Sequence, residues 1–404
     1  MCLHFVGYFV AFQNVCESVD SEPELIGYAY QGSDLALYVG VAGDKAFVVE
    51  DLDEGVQFEV SAGGVWCSLA LALILATGSV YATTVFAGGS GTGHYSTVQA
   101  AVNALPSNGG IVEVEPGTYT EQVTISKPGV SLIGQGSSAS ATIISDDLSA
   151  AKAGSDIKSA TVIVTSAAIN FYFQNIQIQN VYTQDGNTET QALALAISGD
   201  RAVGRNVRLI GRQDTFFAGA NGCSSTTCSD PTRVYLYGSY IEGNVDFIFG
   251  DAALVLDTCT IQLDEHGSLG GEATITAQNN RSSSDAYLSG FVFYNSTINS
   301  NPSTGMTNGY LGRPWGVYSI NVFINTNMQA PINTAGWIEW EPGTTDYLAT
   351  SYYAEYGSTG AGAAGYTKKT REKYAVYLTE SQTTKYAPDT FLTGKDGWTP
   401  TSVE

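Results

Sequence analysis

Histidine is almost missing from this chain: only His4, His94 and His266 occur among 404 residues. A Gly-x-Ser-x-Gly elbow is missing too. The one serine near a histidine, Ser90 beside His94, lies in a glycine-rich turn, so a Ser-His-Asp hydrolase does not fit. Cations are scarce, with 17 Lys and Arg against 39 Asp and Glu and a formal charge of −22. Phosphate binding needs clustered cations, which argues against nucleic acid as a partner. Any anionic polymer is repelled as well, unless its charge is masked or the medium is acidic. Six cysteines are too few for a disulfide scaffold in a chain of this length. Cys2, Cys16, Cys67 and Cys259 show no metal-ligand spacing, and no metal or other cofactor is expected. Cys259 reads as a buried strand residue. Cys223 and Cys228 lie close enough in a Gly/Ser/Thr/Asp loop for a local disulfide if the protein is secreted. The run Gly88-Gly89-Ser90-Gly91-Thr92-Gly93 lacks the Gly-Lys-Ser/Thr ending of a phosphate loop and reads as a turn.

What is abundant is glycine (45), tyrosine (24) and a visible excess of Asn, Ser and Thr, with 44% apolar residues. Strand formers mixed with turn formers point to an all-β protein of many short strands. Residues 1-64 lack that rhythm and read as an extension of artefactual origin. Within them Asp51-Leu52-Asp53-Glu54-Gly55 lacks the remaining ligands of a calcium loop and reads as a solvated turn. Residues 65-82 hold an apolar core too short for a comfortable membrane span. It ends in Val80-Tyr81-Ala82, the small-residue pattern of signal-peptide cleavage, so a secreted, extracellular protein starting near Thr83 is expected.

After Ala82, Ser96 and Gln99 form a capping-box pair ahead of Val98, Ala101, Val102 and Leu105 at helical spacing, which predicts a short helix stopped by Pro106. Strand-sized pieces follow at Ile111 to Val114, Val123 to Ile125, Val130 to Ile133 and Thr161 to Val164. A loose repeat then opens at Asn175, Asn206, Gly238, Thr258, Asn295 and Asn325, with an apolar residue three positions on each time. Its starts are spaced 31, 32, 20, 37 and 30 residues. A recurring strand with loops of variable length is the trace of a right-handed parallel β-helix, with ladders of Asn and aliphatics stacked inside; a sandwich is the alternative. The C-terminal part, from Tyr352-Tyr353-Ala354-Glu355-Tyr356 to a helix start at Thr379-x-x-Gln382, is expected to pack over one end or side of the solenoid.

The chemistry concentrates between Gln213 and Gly250. Asp214 is followed by Thr215-Phe216-Phe217, and Asp246 opens Asp246-Phe247-Ile248-Phe249-Gly250. Strand alternation predicts that Asp246 shares a face with Ile248 while Phe247 and Phe249 point the other way. A carboxylate beside so much apolar surface is costly unless it is paired or used. On a solenoid, residues one coil apart in sequence become neighbours about 4.8 Å apart. Gln191 and Gln213, separated by 22 residues, and Asp214 and Asp246, separated by 32, therefore converge on one face. Arg313 and Trp315 add a cation and an aromatic beside a turn.

The set Gly117-x-Tyr119-x-Glu121, Gln191-Ala192-x-Ala194-Leu195, Gln213-Asp214-Thr215-Phe216, Asp246-Phe247-Ile248-Phe249-Gly250 and Leu311-Gly312-Arg313-Pro314-Trp315 resembles the pectin methylesterases, carbohydrate esterase family 8, from about Val85 to about Trp398. The likeness is to microbial forms without the plant inhibitor domain. It implies the right-handed parallel β-helix over 83-404, with a short N-terminal capping helix and C-terminal helices and loops packed on it. It implies hydrolysis of methyl esters of polygalacturonate, with pectin as the partner and neither nucleic acid nor membrane. Residue by residue it assigns Asp246 as nucleophile, Asp214 as acid/base, Gln191 and Gln213 as oxyanion-side amides and Arg313 as partner of the nucleophile. It places Phe216, Trp315 and Trp337 among sugar-contacting aromatics, and Gly117, Tyr119 and Glu121 are assigned to structure.

The chemistry agrees with that assignment. A nucleophilic carboxylate must stay ionised beside a cation, and a second carboxylate close by resists ionising and so holds a proton to donate. Departures from the family pattern, Gly360-Ala361-Gly362 for Gly-Pro-Gly and Thr276-Ala277-Gln278-Asn279-Asn280 near a usual Gln-Gly-Arg, touch neither carboxylate. A polygalacturonase or pectate lyase on a similar solenoid, or a non-catalytic polysaccharide-binding solenoid, are the rival readings. Sequons stand at Asn280 and Asn295, and a monomer is expected.

Overall fold

The computed structural model describes residues 37–42, 45–50, 56–61, 82–182, 190–219, 232–264, 272–281, 283, 289–301 and 306–403. The chain divides into two compact units, 1–81 and 82–404. In the first, strands Leu37–Ala42, Lys45–Glu50 and Val56–Ser61 form an antiparallel sheet with Lys45–Glu50 in the middle. The loop around Asp51 to Gly55, the apolar segment up to Tyr81, and Cys223 with Cys228 lie outside the described residues.

The second unit winds through three parallel sheets of eight, seven and twelve strands. Strands Ala202–Arg205, Arg208–Ile210 and Phe216–Ala218 make one coil, and each pairs with its counterparts in the coils before and after. Crossovers between parallel strands of one sheet are right-handed for steric reasons, and the result is a right-handed parallel β-helix.

The repeat explains how the chain turns the corner. Its opening residues Asn175, Asn206, Gly238, Thr258, Asn295 and Asn325 all have φ between 49° and 58°. That left-handed conformation suits Gly and Asn and strains a β-branched Thr. Three positions on, Ile178, Leu209, Ile241, Ile261, Ile298 and Met328 are in register from coil to coil and fully buried. The aliphatic ladder is thus internal, but the asparagines are not. Asn206 Nδ2 donates to Asn175 Oδ1 at 3.0 Å, and Asn325 Nδ2 to Asn295 Oδ1 at 3.2 Å, on the outside of the corner. Left-handed turns place their side chains outward, where a carboxamide can bridge to the next coil.

The helix near the N-terminal end spans Val98–Ala104, and its cap is Thr97 rather than Ser96. Thr97 Oγ1 accepts from the Ala100 amide at 3.1 Å. The Glu121 carboxylate accepts from the Val98 and Gln99 amides at 2.8 and 2.9 Å. Gln99 turns to the neighbouring strand, where its carbonyl accepts from the Thr124 amide. Tertiary contact has replaced the local capping box, and Val98, Ala101 and Val102 bury against the first coils.

Tyr352–Tyr356 is a strand of the twelve-stranded sheet, paired with Ile320–Ile324, and not part of the C-terminal cover. The cover begins at Glu380–Thr383, where the expected Thr379/Gln382 capping box forms. Leu378, Tyr386 and Leu392 then pack on Val203, Tyr235, Val255 and Val322, the outer row of that sheet. Arg233, itself held by Asp200 at 2.7 Å, fastens this segment through Asp396 at 2.6 Å. Cys259 is buried and free, at a corner next to a strand. Of the two sequons, Asn280 is 4% exposed, too buried for a glycan, whereas Asn295 is exposed.

Candidate active site

The seven-stranded sheet carries the site. Its outward row runs Ile163, Ala196, Phe217, Phe249, Ala277 and Arg313, in register across consecutive coils. Its inward row runs Val162, Leu195, Phe216, Ile248, Thr276 and Gly312. Phe216 is therefore a core residue with no exposed surface, and the aromatic on the cleft side is Phe217, edge-on to Phe249 at 5.2 Å. Period-two alternation makes only one of two adjacent Phe available.

At Asp246 the alternation breaks. The strand Val245–Gly250 shifts register between Val245 and Ile248, and Asp246 has φ 49°. Phe247 and Ile248 both enter the core, while Asp246 turns out to meet Arg313, so Asp246 does not share a face with Ile248. Arg313 Nε donates to Asp246 Oδ1 at 2.9 Å and Oδ2 at 3.1 Å, and Nη2 to Oδ2 at 2.5 Å. Thr274 completes the hold. Its hydroxyl donates to Oδ1 at 2.8 Å and accepts from the Asp246 amide at 3.0 Å. Arg313 is itself largely buried; the hydrogen bonds and charge of Asp246 outweigh that desolvation and hold the guanidinium protonated.

Asp214, one coil earlier, also sits in the left-handed region with φ 61°, and its amide donates to the Val245 carbonyl at 3.0 Å. Burial raises its carboxyl well above the usual aspartate range. The charge of Asp246 adds to this, then that of Asp156, while Arg313 pulls the other way. The pair is thus differentiated: one carboxyl is gripped by a cation, and the other is pushed toward its protonated form by burial and by its neighbour's charge.

Gln191 and Gln213 lie half-buried on consecutive coils, joined where the Ala192 amide donates to the Gln213 carbonyl at 3.3 Å. Trp315 is half-buried two residues beyond Arg313, with its ring 6.1 Å from Phe249 and 6.3 Å from Trp340. Trp337 is not on the cleft. It is 2% exposed, bridged to Gly312 of the inward row and packed on Tyr353 at 5.3 Å. The cleft tryptophan is Trp340, over whose ring the Arg313 guanidinium lies at 4.5 Å. Trp315, Trp340, Arg281 and Tyr347 line a cavity of about 370 Å³. Gln191, Gln213, Asp214, Asp246, Arg313 and Trp315 are therefore gathered by the fold, and Phe216 and Trp337 are not. Thr274, Phe217 and Trp340 were not anticipated. Nothing in the sequence separates the two tryptophans of Trp337-Ile338-Glu339-Trp340.

Comparison with known proteins places these features in context. The chain matches the profile of the family described as Pectinesterase over residues 84–395. It is 33% identical over 318 residues to a probable pectinesterase/pectinesterase inhibitor 6 of Arabidopsis thaliana, covering 78% of this chain and 53% of that protein. It is 30% identical over 323 residues to a pectinesterase of Daucus carota, covering 78% of this chain and 95% of that one. The chain thus spans about half the length of the Arabidopsis relative. Among solved structures, pectin methylesterase from carrot superposes with TM-score 0.67 at 29% identity, over 79% of this chain and 96% of that one. The enzyme from Aspergillus niger gives 0.64 at 29% identity, over 78% and 94%.

Proposed function

Since the chain belongs to the pectinesterase family, we propose that it hydrolyses the methyl esters of pectin to pectate and methanol through Asp246 as nucleophile. The observation that carries this reading is the three-point grip of Arg313 on Asp246 beside Asp214, a buried carboxyl pushed toward its protonated form by that burial and by the charge of Asp246. The ionised Asp246 attacks the ester carbonyl carbon, and the oxygen that gains charge is met by the side-chain amides of Gln191 and Gln213. Collapse of the tetrahedral species expels the methoxy oxygen, which takes the proton of Asp214 and leaves as methanol. The anhydride left on Asp246 is then attacked by water. Asp214, now a carboxylate, removes one proton of the water, and the second collapse expels the Asp246 carboxylate and leaves the galacturonic acid, which gives its proton to solvent; Asp246 is again a carboxylate and Asp214 again carries a proton. Trp315, Phe217 and Trp340 offer apolar faces for sugar rings.

The substrate is a wall polymer, which fits a secreted, monomeric enzyme whose working part is 83–404. Among the described residues no helix is long and apolar enough to cross a membrane. Expressing residues 83–404 and measuring methanol from methylated pectin tests the reading. Methanol without new reducing or unsaturated ends supports it, and chain scission without methanol defeats it.

A further inference from the structure

One acid near the site has no part in the chemistry just described. Asp156 sits in the segment between the short helix Ala150–Ala153 and strand Val162–Val164, one coil before Gln191. That segment is tied to the Gln191 coil at several points. The Ala150 amide donates to the Gln191 carbonyl at 2.8 Å, the Leu193 amide to Ser159 Oγ at 3.2 Å, and the Thr161 amide to the Leu193 carbonyl at 3.0 Å. Gln122 Nε2 secures the segment from the other side by donating to the Lys158 and Ala160 carbonyls at 2.8 and 2.9 Å. Ile157, the next residue, packs into the outward apolar cluster that includes Phe217, Phe249, Trp315 and Trp340. In coil order the residues therefore run Asp156, Gln191, Asp214, Asp246, Arg313.

Nothing in the fold requires an acid at this place. Asp156 precedes the 3-10 turn Ile157–Ser159, yet its side chain makes no cap hydrogen bond, and among the described residues its carboxylate has no ion-pair partner. It is half-buried, and that burial raises its carboxyl above the usual range. Its charge nonetheless acts on Asp214. A desolvated, unpaired carboxylate is a cost that a structural role does not explain.

We propose that Asp156 selects substrate by charge: it disfavours galacturonate units that already bear a free carboxylate on the Gln191 side of the reacting ester, and so favours chains esterified there. The ester and the acid differ by one negative charge at that position, and a second carboxylate facing Asp156 is repelled while a methyl ester is not. This inference rests on the pectin reading above and deepens it.

The test compares kcat/KM for methanol release from fully methylated oligogalacturonides and from partly de-esterified ones, at matched ester concentration and low salt. Unmodified protein is measured beside Asp156→Asn and Asp156→Lys, each checked for unchanged melting temperature. The neutral variant is expected to gain about threefold to tenfold on the partly de-esterified substrate relative to the methylated one, and the lysine variant more. High salt should shrink both gains, because the effect is electrostatic at a part-exposed site. An unchanged ratio in both folded variants overturns the proposal. Unmodified protein that releases no methanol from either substrate overturns the pectin reading with it.

Discussion

Thr274 and Asp246 hold each other twice: the threonine hydroxyl donates to Asp246 Oδ1 at 2.8 Å and accepts from the Asp246 amide at 3.0 Å. The second bond satisfies a buried amide that the left-handed turn at Asp246 would otherwise leave without a partner. The first, together with the grip of Arg313, fixes the direction of the Asp246 carboxylate. Replacing Thr274 by Val keeps the shape and removes both bonds. A hydrogen bond to a charged group is worth about 1.5–3 kcal/mol, so kcat should fall by about one to two orders of magnitude. Thr274→Ser restores the hydroxyl and should recover most of the rate, which separates positioning from packing.

Removing the nucleophile has a different signature. Asp246→Asn should abolish methanol release while the protein stays folded, since the carboxamide fills the same space. Gln191→Ala removes one donor to the oxyanion and should cost about 100- to 1000-fold, a smaller loss. Methanol assays on the two purified variants, with circular dichroism to verify folding, decide the ranking. An Asp246→Asn protein close to the unmodified rate would sink the scheme.

Asp214 couples activity to stability. Its carboxyl is raised in the folded state by burial and by Asp246. Its contribution to stability is therefore complete below the unfolded aspartate value of about 3.9 and is lost as pH rises toward the folded value. Asp214→Asn cannot ionise and escapes that loss. The variant should be inactive yet melt higher than the unmodified protein at pH 7, with the gap closing as pH falls below about 4. Thermal melts across that range provide the check.

The charges facing Asp214 are Asp246 and Asp156, which push its carboxyl up, and Arg313, which draws it down. The alkaline limb of the rate profile should follow the loss of its proton. Asp156→Asn takes away one upward push, so that limb should move to lower pH; a limb that stays put or moves up contradicts this electrostatic picture.

The sequence carried the architecture because solenoid periodicity is local. Each repeat opener had to tolerate φ near 50°, and each aliphatic three positions on had to face inward, so both left a composition signal. The acids and Arg313 were legible for a related reason, being charged groups amid apolar strands. What failed was direction. Phe216 and Phe217 are indistinguishable in a string of letters, and only strand register decides which faces the cleft; Trp337 and Trp340 are equally alike until the bridge from Trp337 to Gly312 turns the first of them inward. Asp246 escaped strict alternation because its turn to positive φ is imposed by Thr274 and Arg313, which lie 28 and 67 residues away. Thr274 was silent, since a threonine in a strand is unremarkable until its partner is known.

The internal stack from Ile178 to Met328 has a bearing on how the molecule comes apart. In a solenoid each coil is stabilised by its neighbours alone, so opening can begin at an end and travel inward one interface at a time. Gln191, Asp214, Asp246 and Arg313 come from different coils within the span of that stack, and no single coil holds both acids or the nucleophile with its arginine. Frayed ends can leave turnover untouched. The loss of one interior interface separates the acid from the nucleophile, or the nucleophile from its arginine, and the catalytic centre acts as a gauge of whether the middle of the cylinder is still closed.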